Sequence, residues 1–182
     1  MTSLKTSIKT ITYLSDTGCL EIQGASLLML QMPDLLYFNG SWQEYIDDVY
    51  DVVREDILIS NITFKGLPVR LRYSPEYDGK EFGFWHLVSE GKIEEERIPD
   101  LERCKRIRWI AHMIRNYDHC DISCWSERRG PTEEWVIWNE CENYVVVLSA
   151  RRDYWLLKTA YVVTYDSKIR TLKQSRKRAL GT

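Results

Sequence analysis

Three groups of residues in this chain have the types and spacing to do chemistry. His86 ends the apolar run "FGFWH", which reads as a strand or turn, Arg151 and Arg152 stand in a turn, and Lys158, Thr159 and Tyr161 interrupt the otherwise apolar "YWLLKTAYVV". An imidazole near its ordinary pKa accepts or donates a proton at neutral pH without a metal, and arginines hold phosphate charge. Thr159 and Tyr161 lie two apart on a strand, so both hydroxyls fall on one face and can bond the same phosphate. In a regular strand Lys158 falls on the opposite face, where it is expected to be solvated.

Other candidate centres are weaker. His112 lies within a basic helical stretch and His119 in a turn, so both are expected to be structural or solvated. Five cysteines, Cys19, Cys104, Cys120, Cys124 and Cys141, are an odd number without a secretory leader before them. They read as reduced thiols in a cytoplasmic protein. Cys120 and Cys124 beside His119 suggest zinc, but no second ligand pair follows, so neither a metal nor a cofactor is expected. There is no P-loop, dinucleotide fingerprint, HExxH or GxSxG. Paired carboxylates are also hard to place, because the acidic residues crowd onto helix faces.

The elements that must position these groups follow from periodicity. "SWQEYIDDVYDVVREDIL" has an N-cap in Ser41 and apolar residues at helical spacing, with an acidic outer face. "NITFKGLPVRLRYS" reads as two strands joined around Lys65 and Gly66, with Val69, Leu71 and Tyr73 on one side and Arg70 and Arg72 on the other. Residues 99 to 116 form a second helix with Pro99 in its first turn and a basic outer face. From residue 121 onward four apolar runs separated by turn residues make a meander of strands. The expected fold is α+β, with N-terminal helices packed on a C-terminal antiparallel β-meander. Residues 1 to 40 read as an extension of strands and loops, 41 to 166 as the core domain, and 167 to 182 as a basic tail or helix.

Bulk composition limits the function. With 182 residues, 44% hydrophobic and 29% charged, the chain suits one domain, and its net charge of −2 gives no global basic field. Any nucleic-acid contact must therefore be local. The candidates are Arg103 and Arg106 on the basic helix and Lys173, Arg176, Lys177 and Arg178 in the tail. No run approaches the length of a membrane span, so no membrane partner is expected.

Two segments carry a family resemblance. "FGFWHLVSEG" resembles the upstream histidine segment, and "YWLLKTAYVV" the "TAY" end of the final catalytic strand, of the barnase/EndoU/colicin/RelE superfamily of metal-independent ribonucleases in its phage-associated branch. The resemblance implies an endoribonuclease of a phage or toxin module that cleaves RNA, tRNA included, by 2'-hydroxyl attack to leave a 2',3'-cyclic phosphate. It implies His86 as base or acid, Arg151, Arg152 and Lys158 as phosphate ligands, Thr159 and Tyr161 as hydroxyl donors, and a protein inhibitor or antitoxin as partner. Two other readings stay open. One is a non-catalytic mobile-element protein binding nucleic acid or protein through a Trp-rich surface and the basic tail. The other is an immunity partner whose acidic helix, 42 to 58, imitates RNA.

Overall fold

The computed structural model describes residues 29 to 91 and 97 to 181. Most of the segment expected as an N-terminal extension, together with Cys19, lies outside them. Residues 30 to 36 pack on the core, where Trp109 Nε1 donates to the Pro33 carbonyl at 2.7 Å and Tyr45 Oη to the Leu36 carbonyl at 2.8 Å.

Helix α1, Trp42–Val53, starts where the sequence predicts. Ser41 Oγ accepts from the Glu44 N–H and Glu44 Oε2 accepts from the Ser41 N–H at 2.8 Å, a reciprocal cap that satisfies two end donors. Tyr45, Ile46, Val49 and Val53 form its buried stripe, and a π-helical turn, Arg54–Ile59, carries it on to bury Ile57. Strands β1, Thr63–Phe64, and β2, Leu67–Arg70, form a hairpin. Its turn residues Lys65 and Gly66 both have positive φ, the conformation that matches the twist of a two-residue hairpin.

A small hairpin, β3 (Glu76–Tyr77) with β4 (Lys80–Glu81), leads into helix α2, Phe82–Val88. This corrects one expectation: "FGFWH" is helix, not strand. Gly83, Phe84, Leu87 and Val88 are the buried members, spaced for a helical stripe and not for strand alternation. Strands β5, Ser89–Glu90, and β6, Ile98–Pro99, pair next. Pro99 therefore sits in a strand, and Asp100 is the cap of helix α3, Leu101–Lys105, accepting from the Glu102 and Arg103 N–H groups. Helix α4, Ile107–Arg115, continues it after a break at Arg106.

Strands β7 (Ile122–Arg129), β8 (Thr132–Asn139), β9 (Tyr144–Ala150) and β10 (Trp155–Val162) follow, and helix α5, Asp166–Leu180, ends the described chain. The six-stranded sheet runs β1-β2-β10-β9-β8-β7. The fold is α+β, and the sheet is mixed because β2 lies parallel to β10, with Val69 opposite Trp155 and Arg70 opposite Leu156.

The sheet has two covered faces. One packs under α1, α2, α3 and α4 around Phe64, Phe84, Ile110, Val146, Leu157 and Ala160. The other packs under α5 around Trp125, Trp138, Val145, Val147 and Leu172. The basic tail expected from sequence is therefore a docked helix. The Trp-rich surface is overturned as well: Trp109, Trp125, Trp138 and Trp155 are buried and only Trp42 is exposed. Indole area goes into the core because it is the largest apolar payload the chain has. No helix among the described residues is long and apolar enough to cross a membrane.

Candidate active site

Strand β10 organises the site. Leu157 faces Leu148 and Thr159 faces Val147, so Lys158 is an extra residue, a β-bulge. The bulge turns Lys158 to the α5 side of the sheet, the side that also holds Tyr161 and, by alternation with core residue Ala160, Thr159. The expectation that Lys158 points away from Thr159 and Tyr161 fails for this reason. The cause of the bulge is visible in the side chain, since Lys158 Nζ lies 2.5 Å from Oε1 of Glu134, which is 3% exposed.

Glu134 belongs to a network that the sequence concealed. It stands directly opposite Glu127 across β7 and β8, and two like charges in such a pair repel. Arg129 lies between them, with Nη2 2.6 Å from Glu127 Oε1 and Nε 3.4 Å from Glu134 Oε2. Ser175 on α5 donates to Glu127 Oε2 and accepts from Trp125 Nε1 at 3.2 Å. Burial pushes the Glu127 carboxyl up, but the Ser175 hydroxyl and Arg129 outweigh it and hold the group below its ordinary range. Acidic residues thus do occupy adjacent strands, each compensated by a cation.

Beside the N-terminal half of β10 lies a cleft of about 810 Å³ whose lining includes Arg70, Arg72, Tyr73, Arg151, Tyr154 and Leu156. Val69 and Leu71 go to the core, so Arg70 and Arg72 are left facing this cleft. Arg70 lies over the Tyr154 ring at 5.5 Å. Arg72 lies over Phe82 at 4.4 Å, and Phe82 is stacked on His86 with 6.1 Å between ring centroids. Guanidinium, phenyl and imidazole therefore form one contiguous stack that starts at the cleft with Arg72 and runs out of it through Phe82 to His86. Gly83 permits it: its N–H donates to the Arg72 carbonyl at 2.8 Å, and a Cβ there would stand 2.9 Å from the Arg72 nitrogen. Helix α2 as a whole packs along β10, and the His86 carbonyl accepts from Arg97 Nη2 at 3.2 Å.

At the other end of β10, Tyr161 has Arg103 over its ring at 5.9 Å and Lys168 at 6.0 Å. Burial pushes its phenol up, so it stays a protonated donor through the neutral range. Arg151 bonds Ser149 Oγ at 3.0 Å and the Ala150 carbonyl at 2.7 Å, which aims it across the start of β10. Arg152 and Arg128 line an adjoining cleft of about 590 Å³ that Arg151 shares.

The nucleic-acid candidates divide by their partners. Arg103 pairs with Asp100 at 3.2 Å and Arg106 with Glu102 at 2.6 Å, while Lys173 and Arg176 both pair with Glu140. Lys177 and Arg178 are exposed and have no acidic partner among the described residues. The structure thus brings Lys158, Thr159 and Tyr161 onto one face, sets Arg151 at its edge and links His86 to the cleft through Phe82. Arg152 lies further out, and the pairs on α3 and α5 neutralise four of the expected contacts. Arg70 and Arg72 were missed. Their alternation in "VRLRY" was a signal, but the parallel pairing that sets them beside β10 leaves no local trace.

No family model matches this chain, and no solved structure matches it. A curated relative, the uncharacterized protein YuaK of Escherichia coli (strain K12), is 96% identical over 27 residues, which are 15% of this chain and 29% of YuaK. The matching stretch is short, and YuaK is uncharacterized.

Proposed function

We propose that this chain is an endoribonuclease that cleaves RNA, tRNA among its substrates, by attack of the 2'-hydroxyl on the adjacent phosphorus. The 2'-oxygen bonds to phosphorus, the bond from phosphorus to the 5'-oxygen breaks, and a 2',3'-cyclic phosphate and a 5'-hydroxyl result. One group must take the 2'-hydroxyl proton, one must protonate the leaving oxygen, and cations must hold the charge that gathers on the phosphorane.

The observation that carries this reading is the stack that runs from Arg72 through Phe82 to His86, beginning at a cleft whose arginines have no acidic partner among the described residues. His86 serves as one of the two proton carriers. Arg70, Arg72 and Arg151 hold the phosphate; Thr159 and Tyr161, on the α5 side toward the other end of β10, lie outside this cleft and take no part in holding it. Lys158, held by Glu134, adds positive potential without transferring a proton.

The test is incubation of wild type, His86→Ala and Arg72→Ala with total tRNA in EDTA, scoring fragments that end in 2',3'-cyclic phosphate. Cleavage by wild type alone is expected. A His86→Ala protein that cleaves at the parental rate would remove His86 from the mechanism. RNA that binds to wild type but stays intact would assign the cleft to binding alone.

A further inference from the structure

We propose that His119, Cys120 and Asp121 form a site for a thiophilic divalent cation such as Zn²⁺, distinct from the cleft on β10. The three residues occupy the turn between α4 and β7, which closes where the Ile122 N–H donates to the His119 carbonyl at 2.9 Å. This is the end of β7 remote from Arg128.

Side-chain geometry carries the argument. Cys120 Sγ lies 3.8 Å from His119 Nδ1 and 3.9 Å from Asp121 Oδ1, and His119 Nδ1 lies 3.6 Å from Asp121 Oδ2. With metal bonds of about 2.3 Å to sulfur and about 2.0 to 2.2 Å to nitrogen and oxygen, neighbouring donors of a tetrahedral zinc stand about 3.3 to 3.6 Å apart. The sulfur–nitrogen distance and the distances from sulfur to Oδ1 and from nitrogen to Oδ2 are each within a few tenths of an ångström of coordinated ones, and through a single carboxylate oxygen all three donors lie within 4.8 Å of one another. One nitrogen, one sulfur and one oxygen donor is a set that suits zinc, and calcium or magnesium would reject the sulfur.

Two further contacts prepare the donors. The Leu30 N–H donates to Asp121 Oδ2 at 2.7 Å, which fixes the carboxylate in the way an outer hydrogen bond orients a metal ligand. The Asp121 N–H donates to His119 Nδ1 at 3.2 Å, so this nitrogen is unprotonated but its lone pair is engaged by the backbone. The cation displaces that long bond. The Cys120 thiol gives up its proton on binding, so one proton is released as the metal–sulfur bond forms. Cys120 is exposed, which leaves the fourth position to water. Cys124 takes no part, because it is half-buried against the helix-covered core.

The experiment uses the full chain carrying Cys19→Ser and Cys141→Ser, titrated with Co²⁺ and followed by absorption. The expected result is one equivalent bound, with a thiolate-to-cobalt charge-transfer band and visible bands of tetrahedral intensity, all displaced by Zn²⁺. In that background Cys120→Ser abolishes the charge-transfer band and His119→Ala weakens binding about tenfold or more. Unchanged circular dichroism of the metal-free variants shows that the fold is intact. Absence of the band in the parent, or its survival in Cys120→Ser, overturns the site.

Discussion

The proposed RNA binding predicts a salt dependence that follows from counting the cleft arginines. Arg70, Arg72, Arg128, Arg151 and Arg152 line the two joined clefts, and none has an acidic partner among the described residues. On a single strand each neutralised phosphate contributes about 0.7 to the slope of log K against log salt, so five contacts give a slope of about −3.5. Between about 50 and about 200 mM salt the affinity should then fall about 100-fold. Replacing Arg70 and Arg72 by Gln removes two contacts, reduces the slope to about −2.1 and shrinks that fall to about 20-fold. Fluorescence anisotropy of a labelled single strand measures this, in a His86→Ala background so that the probe stays whole. The control is Lys173→Gln with Arg176→Gln, whose charges Glu140 already engages; there the slope should stay at the parental value. A parental slope in the Arg70 and Arg72 variant, or an equal drop in the control, would refute the assignment of the cleft.

Gly83→Ala should cost about 1 to 3 kcal/mol, because its Cβ meets the Arg72 backbone at 2.9 Å and neither element can yield cheaply. Urea unfolding measures that loss, and RNA cleavage should fall with it as Arg72 and His86 are pushed apart. Lys158→Met leaves Glu134 buried with only Arg129 at 3.4 Å, and should cost about 1 to 3 kcal/mol, below a fully buried pair because Lys158 is half exposed. Lys158→Arg should recover most of that urea midpoint. Ser175→Ala should lower stability by about 1 to 2 kcal/mol near neutral pH and flatten the acid limb of the stability curve. The sign follows from Glu127: its folded pKa lies below the ordinary 4.5, so its contribution is full above that value and is lost as pH falls through the lowered one.

Local rules made some of this fold legible and not the rest. Ser41 marked the start of α1, and alternation with turn residues marked β7 to β10, because caps and hairpins are decided by neighbours in sequence. The segment 82 to 88 misled because aromatic residues favour strands. Its helix is dictated by burial of Phe84, Leu87 and Val88 against residues far along the chain. The bulge at Lys158 is set by Glu134, 24 residues away, and the parallel approach of β2 by a contact more than 80 residues long in sequence. Thr159 and Tyr161 were legible as a pair for the same reason that Lys158 was not, since alternation predicts a regular strand and a bulge breaks it. The alternative reading that put the indoles on the surface fails because burying them yields more free energy than exposing them.

Charge shows why the site could be read only in part. The densest basic stretch of the sequence, on α3 and α4, is largely silent, because Asp100 and Glu102 engage Arg103, Lys105 and Arg106. In the same way Glu140 quiets two of the six basic residues of α5, Lys173 and Arg176. The arginines of the two clefts come from three separate places in the sequence, 70 and 72, 128, and 151 and 152, and meet only when β2 docks beside β10 and two hairpin turns fall at one end of the sheet. Screening in about 0.15 M salt limits each charge to about 8 Å, so it is this proximity, and not the net charge of −2, that decides what the surface attracts. A count along the chain sees runs, and a phosphate sees only the cations that no carboxylate has already taken.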